Sequence, residues 1–187
     1  MTINIGINGY GRIGRNILRA LYESEIHNNL KIVAINDVGD NSVSAHLTMY
    51  DSAHGKFNQK VSADKNFMYV GEDKINITSE RDPSKILWSK YDVDLVFECT
   101  GKFNSKEETE IHLKNGAKKV LISAPAKNVD ATIVMGVNDE ILEKNHTIIS
   151  NASCTTNCIA PVIKVLNNTL GIEHGLITTI HSFTNDQ

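Results

Sequence analysis

Short stretches of alternating or wholly apolar residues take turns along the chain with stretches whose apolar residues recur at helical spacing. Residues 3–8 alternate and predict a first strand. Residues 12–24 follow, with Ile13, Ile17, Leu18 and Leu21 on one helical face. Residues 31–36 predict a second strand and residues 42–50 a short helix. Residues 67–70 and 74–78 predict a hairpin closed by the three-residue loop Gly71-Glu72-Asp73. A strand at 93–99 leads to a helix over 105–115, which Ser105 and Glu108 open in capping-box spacing and Gly116 closes. Strands at 119–123, 132–135 and 147–149 come next, then a helical pattern that ends at Gly171. A β-branched run over 175–184 predicts a last strand.

This order predicts an α/β fold, a Rossmann-type, mostly parallel sheet with helices on both faces. Such sheets bind ligands beyond the carboxyl ends of their strands. Candidate chemistry therefore lies at residues 8–14, 36–37, 99–101, 123–125 and 151–154. Composition narrows the function classes. The 187 residues suffice for a real core, and 41% apolar with 22% charged residues argue against disorder. A net charge of −3 gives no field that steers a nucleic acid. No apolar run is long enough to span a bilayer, and residues 1–15 carry Gly and Arg where a signal peptide needs apolar residues. Three cysteines make no disulfide framework. The expectation is a reduced, soluble, cytoplasmic protein with neither nucleic acid nor membrane as partner.

Gly9-Tyr10-Gly11-Arg12-Ile13-Gly14 reads G-x-G-x-x-G. The motif alone is weak, but here it follows a strand directly and opens a helix. Gly9 makes the tight turn, Gly11 lets the backbone approach a pyrophosphate, and Gly14 lets the helix pack on the sheet. The pyrophosphate sits on the free N–H groups of the helix start. Asp37 ends the second strand, 23 residues after Gly14. A carboxylate there accepts from a ribose 2′-hydroxyl and repels a 2′-phosphate, which favours NAD over NADP. The competing reading is a plain strand–turn–helix with a surface aspartate.

Ser153 is a plausible helix cap, which puts Cys154 in the first turn, where free N–H groups and the helix dipole favour a thiolate. Cys158, one turn on, is expected to face the core, and Pro161 to bend the helix. The two cysteines could instead ligate a metal, though zinc needs more ligands than they supply, or both could be inert. His181 ends the last predicted strand and can meet Cys154 in space, a pairing that suits nucleophilic catalysis. The six other histidines read as structural. A thiol beside a nicotinamide suits aldehyde oxidation. The thiolate adds to the aldehyde, His181 takes the hydroxyl proton, and hydride leaves for NAD. Phosphate or water then releases the thioester.

These residues resemble those of the phosphorylating glyceraldehyde-3-phosphate dehydrogenases. The matching stretches are residues 7–15, 98–101, 116–120, 150–158 and 181–187, spread over the whole chain. The resemblance implies that Cys154 is the nucleophile and His181 its base. It implies cofactor contacts at Arg12 and Ile13 near the pyrophosphate, at Asp37 on the adenosine ribose, at Arg81 near the adenine, and at Thr100, Gly101 and Ser123 along the cofactor. Ser153 and Thr155 then look like substrate or phosphate ligands, and Thr184 like part of the site for the substrate's own phosphate. The implied substrates are glyceraldehyde 3-phosphate and inorganic phosphate, and the implied assembly is a homotetramer at full length. An erythrose-4-phosphate dehydrogenase, which uses water in place of phosphate, is the alternative inside the resemblance. An NAD-binding fragment without turnover is the alternative outside it.

Chains of the resembled family are nearly twice as long. The expectation is a complete NAD-binding domain over 1–153, then the first helix and strand of a catalytic domain over 154–187, with part of the helix's apolar face uncovered. Such a piece is expected to bind NAD weakly and to turn over little or not at all.

Overall fold

The computed structural model describes residues 2–24 and 29–181. Strands β1 (Ile3–Asn8), β2 (Leu30–Asn36), β3 (Tyr50–Asp51), β4 (Gly55–Lys56), β5 (Val61–Ala63), β6 (Phe67–Val70), β7 (Asp73–Thr78), β8 (Leu95–Glu98), β9 (Lys119–Ile122), β10 (Ala131–Thr132) and β11 (Ile148–Ser150) alternate with helices α1 (Arg12–Glu23), α2 (Asn41–Met49), α3 (Lys106–Lys114) and α4 (Cys154–Leu170). Nine strands share one sheet in the order β10-β11-β9-β8-β1-β2-β7-β6-β5. From β10 to β7 all neighbours are parallel, while β6 and β5 add an antiparallel edge. This is the Rossmann-type α/β sheet that the alternation of elements predicts.

Apolar residues bury both faces. Ile5, Ile7, Leu18, Ile35, Met68 and Ile75 form one core, and Trp88, Val96, Val120, Ile122 and Ile148 form the other. Beside β1, an extra residue at Val33 shifts the register of β2, so Ile32 joins the first core and Ala34 the second. The chain runs outward from β1 to β2 and β7, then returns to β8 on the other side of β1. That reversal opens a crevice at the carboxyl ends of these strands, where doubly wound sheets bind ligands.

The predicted caps are present. The Ser105 hydroxyl accepts from the Glu108 N–H, and Glu108 accepts from the Asn104 N–H at 2.9 Å. Gly116 follows in the left-handed region. Four local expectations need correction. The hairpin loop has two residues, because Gly71 turns left-handed and Asp73 already pairs with Val70. The strand predicted over 132–135 is only Ala131–Thr132, because the Asn138 side chain takes the Val134 N–H and the chain turns. Cys158 is exposed, on a helix with no buried residue. The described part of the last predicted strand, residues 175–181, joins no ladder, and Leu176 and Ile180 stand fully exposed. β-propensity supplies no hydrogen-bonding neighbour. Helix α4 runs unbroken through Pro161. Among the described residues no helix is long and apolar enough to cross a membrane.

Candidate functional site

The turn after β1 is shaped by close approach. Gly9 sits at φ +89°, and a Cβ there would lie 2.7 Å from the Thr100 nitrogen. A Cβ at Gly14 would lie 2.3 Å from the Gly9 carbonyl oxygen, so α1 packs directly on the turn. Gly11 is the opposite case, since a Cβ there would meet nothing. It caps α1 without a side-chain hydrogen bond, which leaves N–H groups of the first turn for an anion.

Gly11 borders a hollow of about 280 Å³ that Gly9, Asp37, Arg81, Thr100 and Lys102 also line. Asp37 accepts from the Tyr10 N–H at 2.6 Å and from the Gly39 N–H at 2.7 Å, one bond to each carboxylate oxygen. Each oxygen keeps acceptor capacity for a ligand. An open glycine backbone beside an oriented carboxylate fits the pyrophosphate and ribose of a dinucleotide.

Beneath this hollow the ends of β7, β2, β1 and β8 are tied in a row. The Thr78 hydroxyl donates to Asn36 at 2.9 Å, Asn36 donates to Asn8 at 2.8 Å, and Asn8 donates to Glu98 at 2.6 Å. Glu98 also receives the Thr100 N–H at 2.8 Å, the Thr100 hydroxyl, and His112 Nε2 at 3.1 Å. The Trp88 indole donates to His112 Nδ1 at 2.9 Å. Asn8, Asn36, Glu98, His112 and Trp88 are all buried. An unpaired carboxylate here would be costly, and this one is fully hydrogen-bonded.

A second hollow, of about 390 Å³, lies between the start of α1 and the start of α4, lined by Ile13, Ser123, Ala152, Ser153, Cys154 and Asn157. Ala152 takes a left-handed conformation (φ +58°) that turns the chain from β11 into α4, and its N–H donates to the Ser150 hydroxyl. The Ser153 hydroxyl accepts from the Thr156 N–H at 2.9 Å, which puts Cys154, exposed, at the first helical position. The Asn157 amide reaches back to the carbonyls of Asn151 and Ser153 at 2.7 and 3.0 Å and holds the turn before the thiol. Cys99 borders the first hollow and Ser123 the second. Burial pushes the Cys99 thiol up to about 12.

Of the predicted site residues, Gly9, Gly11, Asp37, Arg81 and Thr100 share the first hollow, and Ile13, Ser123, Ser153 and Cys154 the second. Arg12, Gly14 and Gly101 line neither, and Arg12 pairs with Asp51 at 3.5 Å. His181 lies 3.4 Å from the Thr155 hydroxyl, beside Cys154 in sequence, with no hydrogen bond to Cys154 among the described residues. Thr184 falls outside the described residues. Asn8 and Asn36, at strand ends singled out in the sequence, line the first hollow, while sequence reasoning misses Glu98 beneath it, Lys102 on its wall, and Asn157 at the thiol turn. Polar residues at apolar strand ends, and an asparagine inside a helical pattern, are the available signals.

A glycine turn at the switch point of a parallel sheet, with a carboxylate at the next strand end, defines a dinucleotide-binding α/β protein. The exposed thiol at a helix start beside it adds a candidate nucleophile. Residues 3–106 match the family model described as glyceraldehyde 3-phosphate dehydrogenase, NAD binding domain, and residues 153–187 match the C-terminal domain of the same description. The whole chain is 56% identical to glyceraldehyde-3-phosphate dehydrogenase of Pseudomonas aeruginosa, covering 56% of that protein. It is 50% identical to glyceraldehyde-3-phosphate dehydrogenase 1 of Bacillus subtilis, covering 55%. The chain belongs to the glyceraldehyde-3-phosphate dehydrogenase family, and its cofactor is NAD. It spans about half the length of the curated relatives it matches.

Proposed function

We propose that this chain supplies the NAD site and the nucleophile of a phosphorylating glyceraldehyde-3-phosphate dehydrogenase, acting in glycolysis, in the cytoplasm, as a homotetramer at full length. Residues 1–153 form the cofactor domain, and 154–187 open the catalytic domain. The observation that carries this reading is Cys154, exposed at the first position of a capped helix, on a hollow that Ile13 at the start of α1 also lines.

In that reading Gly9, Gly11 and Gly14 shape the pyrophosphate turn, with Arg12 and Ile13 beside it. Asp37 takes a ribose hydroxyl, Arg81 flanks the adenine, and Thr100, Gly101 and Ser123 follow the cofactor. NAD, when bound, supplies the hydride acceptor. The Cys154 sulfur bonds to the aldehyde carbon of glyceraldehyde 3-phosphate, and His181 takes the proton from the resulting hydroxyl. Loss of hydride leaves an acyl group on Cys154, and inorganic phosphate displaces it as an acyl phosphate, regenerating the thiolate. Ser153 and Thr155 supply hydroxyls for the attacking phosphate, and Thr184 for the phosphate of the substrate.

The test follows NADH at fixed aldehyde and NAD while phosphate is varied, on the full-length protein and on its Cys154→Ser variant. Phosphate-dependent NADH that disappears in Cys154→Ser is expected. Turnover independent of phosphate would move the reading to a hydrolytic enzyme of the erythrose-4-phosphate type. Full turnover in Cys154→Ser would remove Cys154 as nucleophile.

A further inference from the structure

The directions of the hydrogen bonds beneath the first hollow are fixed from both ends. Trp88 can only donate, so His112 Nδ1 accepts, and the ring proton sits on Nε2, facing Glu98 Oε2. At the other end the Glu80 backbone orients the Asn36 amide. Its N–H donates to Asn36 Oδ1 at 2.8 Å, and its carbonyl accepts from Asn36 Nδ2 at 2.9 Å. Asn36 Nδ2 therefore points its second hydrogen at Asn8 Oδ1, and Asn8 Nδ2 donates to Glu98 Oε2. Both ends deliver a donor to one carboxylate oxygen. The other oxygen takes the Thr100 N–H. The Thr100 hydroxyl then has one choice, which is to donate its hydrogen to Glu98 Oε1. The Lys102 N–H occupies one lone pair of that hydroxyl at 3.1 Å. What remains for the hollow is a single lone pair.

We propose that Glu98 is a specificity-determining positioning residue: it holds the Thr100 proton and so makes the Thr100 oxygen an obligate acceptor toward the cofactor. Thr100 then meets a hydrogen-bond donor of NAD, either a ribose hydroxyl or an amino group. A phosphate oxygen brings only lone pairs and is turned away, with the Glu98 charge behind it adding to the repulsion. Asp37 is an acceptor on the same hollow, and the free N–H groups of the first turn of α1 are donors. The pocket thus sorts the ligand into hydroxyl-bearing and phosphate-bearing parts by which side carries hydrogens. Glu98 itself lines neither hollow and acts through Thr100.

The inference rests on the first hollow being the cofactor site. Calorimetric titration of the protein, Thr100→Val, Thr100→Ser and Glu98→Gln with NAD and with analogues each lacking one donor tests it. The analogues are the four monodeoxyribose forms, the hypoxanthine form and the 3-acetylpyridine form. Besides the analogue that loses the hydroxyl facing Asp37, one is expected to bind the protein about five- to tenfold more weakly than NAD, the worth of one hydrogen bond. Thr100→Val should erase that penalty and Thr100→Ser should keep it. In Glu98→Gln the new amide satisfies Asn8 and His112 only with its oxygen toward them. Its NH₂ then faces Thr100, giving up the bond from the Thr100 N–H, turns the hydroxyl into a donor, and should shrink the penalty below twofold. A full penalty in Glu98→Gln, or no penalty that depends on Thr100, overturns the inference. Should Glu98→Gln not fold, the Thr100 pair decides: erased in Val and kept in Ser upholds it, kept in both overturns it. Gly11→Val, which fills the open side of the hollow, tests the premise separately. Unchanged NAD affinity there means that the cofactor lies elsewhere.

Discussion

The floor of the nucleotide pocket and the start of α4 are built in opposite ways. Beneath the pocket, Asn8, Asn36, Glu98, His112 and Trp88 are buried and tied to one another across four neighbouring strand ends. Helix α4 buries none of its seventeen residues, and Val165 and Leu170 are 65% and 80% exposed. It is held by polar contacts at its edges: the Asn157 amide on the preceding turn, and the Lys164 ammonium on the carbonyls of Gly136 and Val137, each at 2.8 Å. The binding site is therefore preorganised by its own core. Cys154, the candidate nucleophile, sits on an element whose apolar face no described residue fully buries. Preorganisation comes from the packing around a site, so these two regions should respond differently to the same kinds of change.

The largest expected contrast is chemical. With burial pushing the Cys99 thiol up to about 12, its thiolate at pH 8 is scarcer than that of an ordinary thiol by two to three orders of magnitude, roughly. Timed iodoacetamide labelling read by mass spectrometry should modify Cys154 first and Cys158 next, both exposed, and Cys99 last. Rapid labelling of Cys99 would mean that its buried site opens.

Packing gives the next contrast. Trp88 is completely buried and donates to His112, so Trp88→Ala should cost about 3–5 kcal/mol in urea unfolding. Leu170→Ala, on the exposed face of α4, should stay within about 0.5 kcal/mol. Similar losses in the two variants would erase the distinction between the regions.

The glycine turn sharpens it inside the pocket. Gly14→Ala must push the Gly9 carbonyl aside and should lose about 1–3 kcal/mol of stability, with NAD affinity falling as well. Gly11→Ala meets no atom, so its stability should change by less than about 1 kcal/mol while NAD binding weakens. Denaturation and titration of the same two variants separate folding from binding.

Asp130 provides a smaller effect than Trp88 and a pH signature. Its carboxyl is held well below the usual carboxylate range, chiefly by the Lys106 ammonium at 2.6 Å and also by the N–H groups of Thr147 and Ile148, against a burial cost that raises it. A depressed carboxyl stabilises the fold fully above its unfolded value, near pH 4, and loses that stabilisation as pH falls toward its folded value. Asp130→Asn should therefore cost about 1–2 kcal/mol at pH 7, partial exposure having weakened the pair. The gap should narrow at pH 3. A gap that is constant with pH would assign the loss to packing.

The glycine turn, Asp37 and the helix caps are legible in the sequence because each depends on residues close along the chain or on a fixed strand–helix unit. The network under the pocket is not. Asn8 and Glu98 lie on strands joined only when the chain returns to the other side of β1, and His112 is one histidine among seven until α3 sets it on Trp88. Cys158 misleads for a simple reason. Helical periodicity says which residues share a face, and only the fold says whether anything covers that face. Residues 175–181 have the composition of a strand and no neighbour to make it one.

Amide hydrogen exchange with and without saturating NAD tests the central contrast directly. The expected result is slower exchange with NAD at Gly9–Gly14, Asp37–Gly39 and Thr100–Lys102, over a sheet already protected without it. Residues 158–181 should exchange faster than the sheet and stay unchanged. Protection by NAD confined to α4, or absent from the glycine turn, would contradict a cofactor pocket preorganised by the strand ends beneath it.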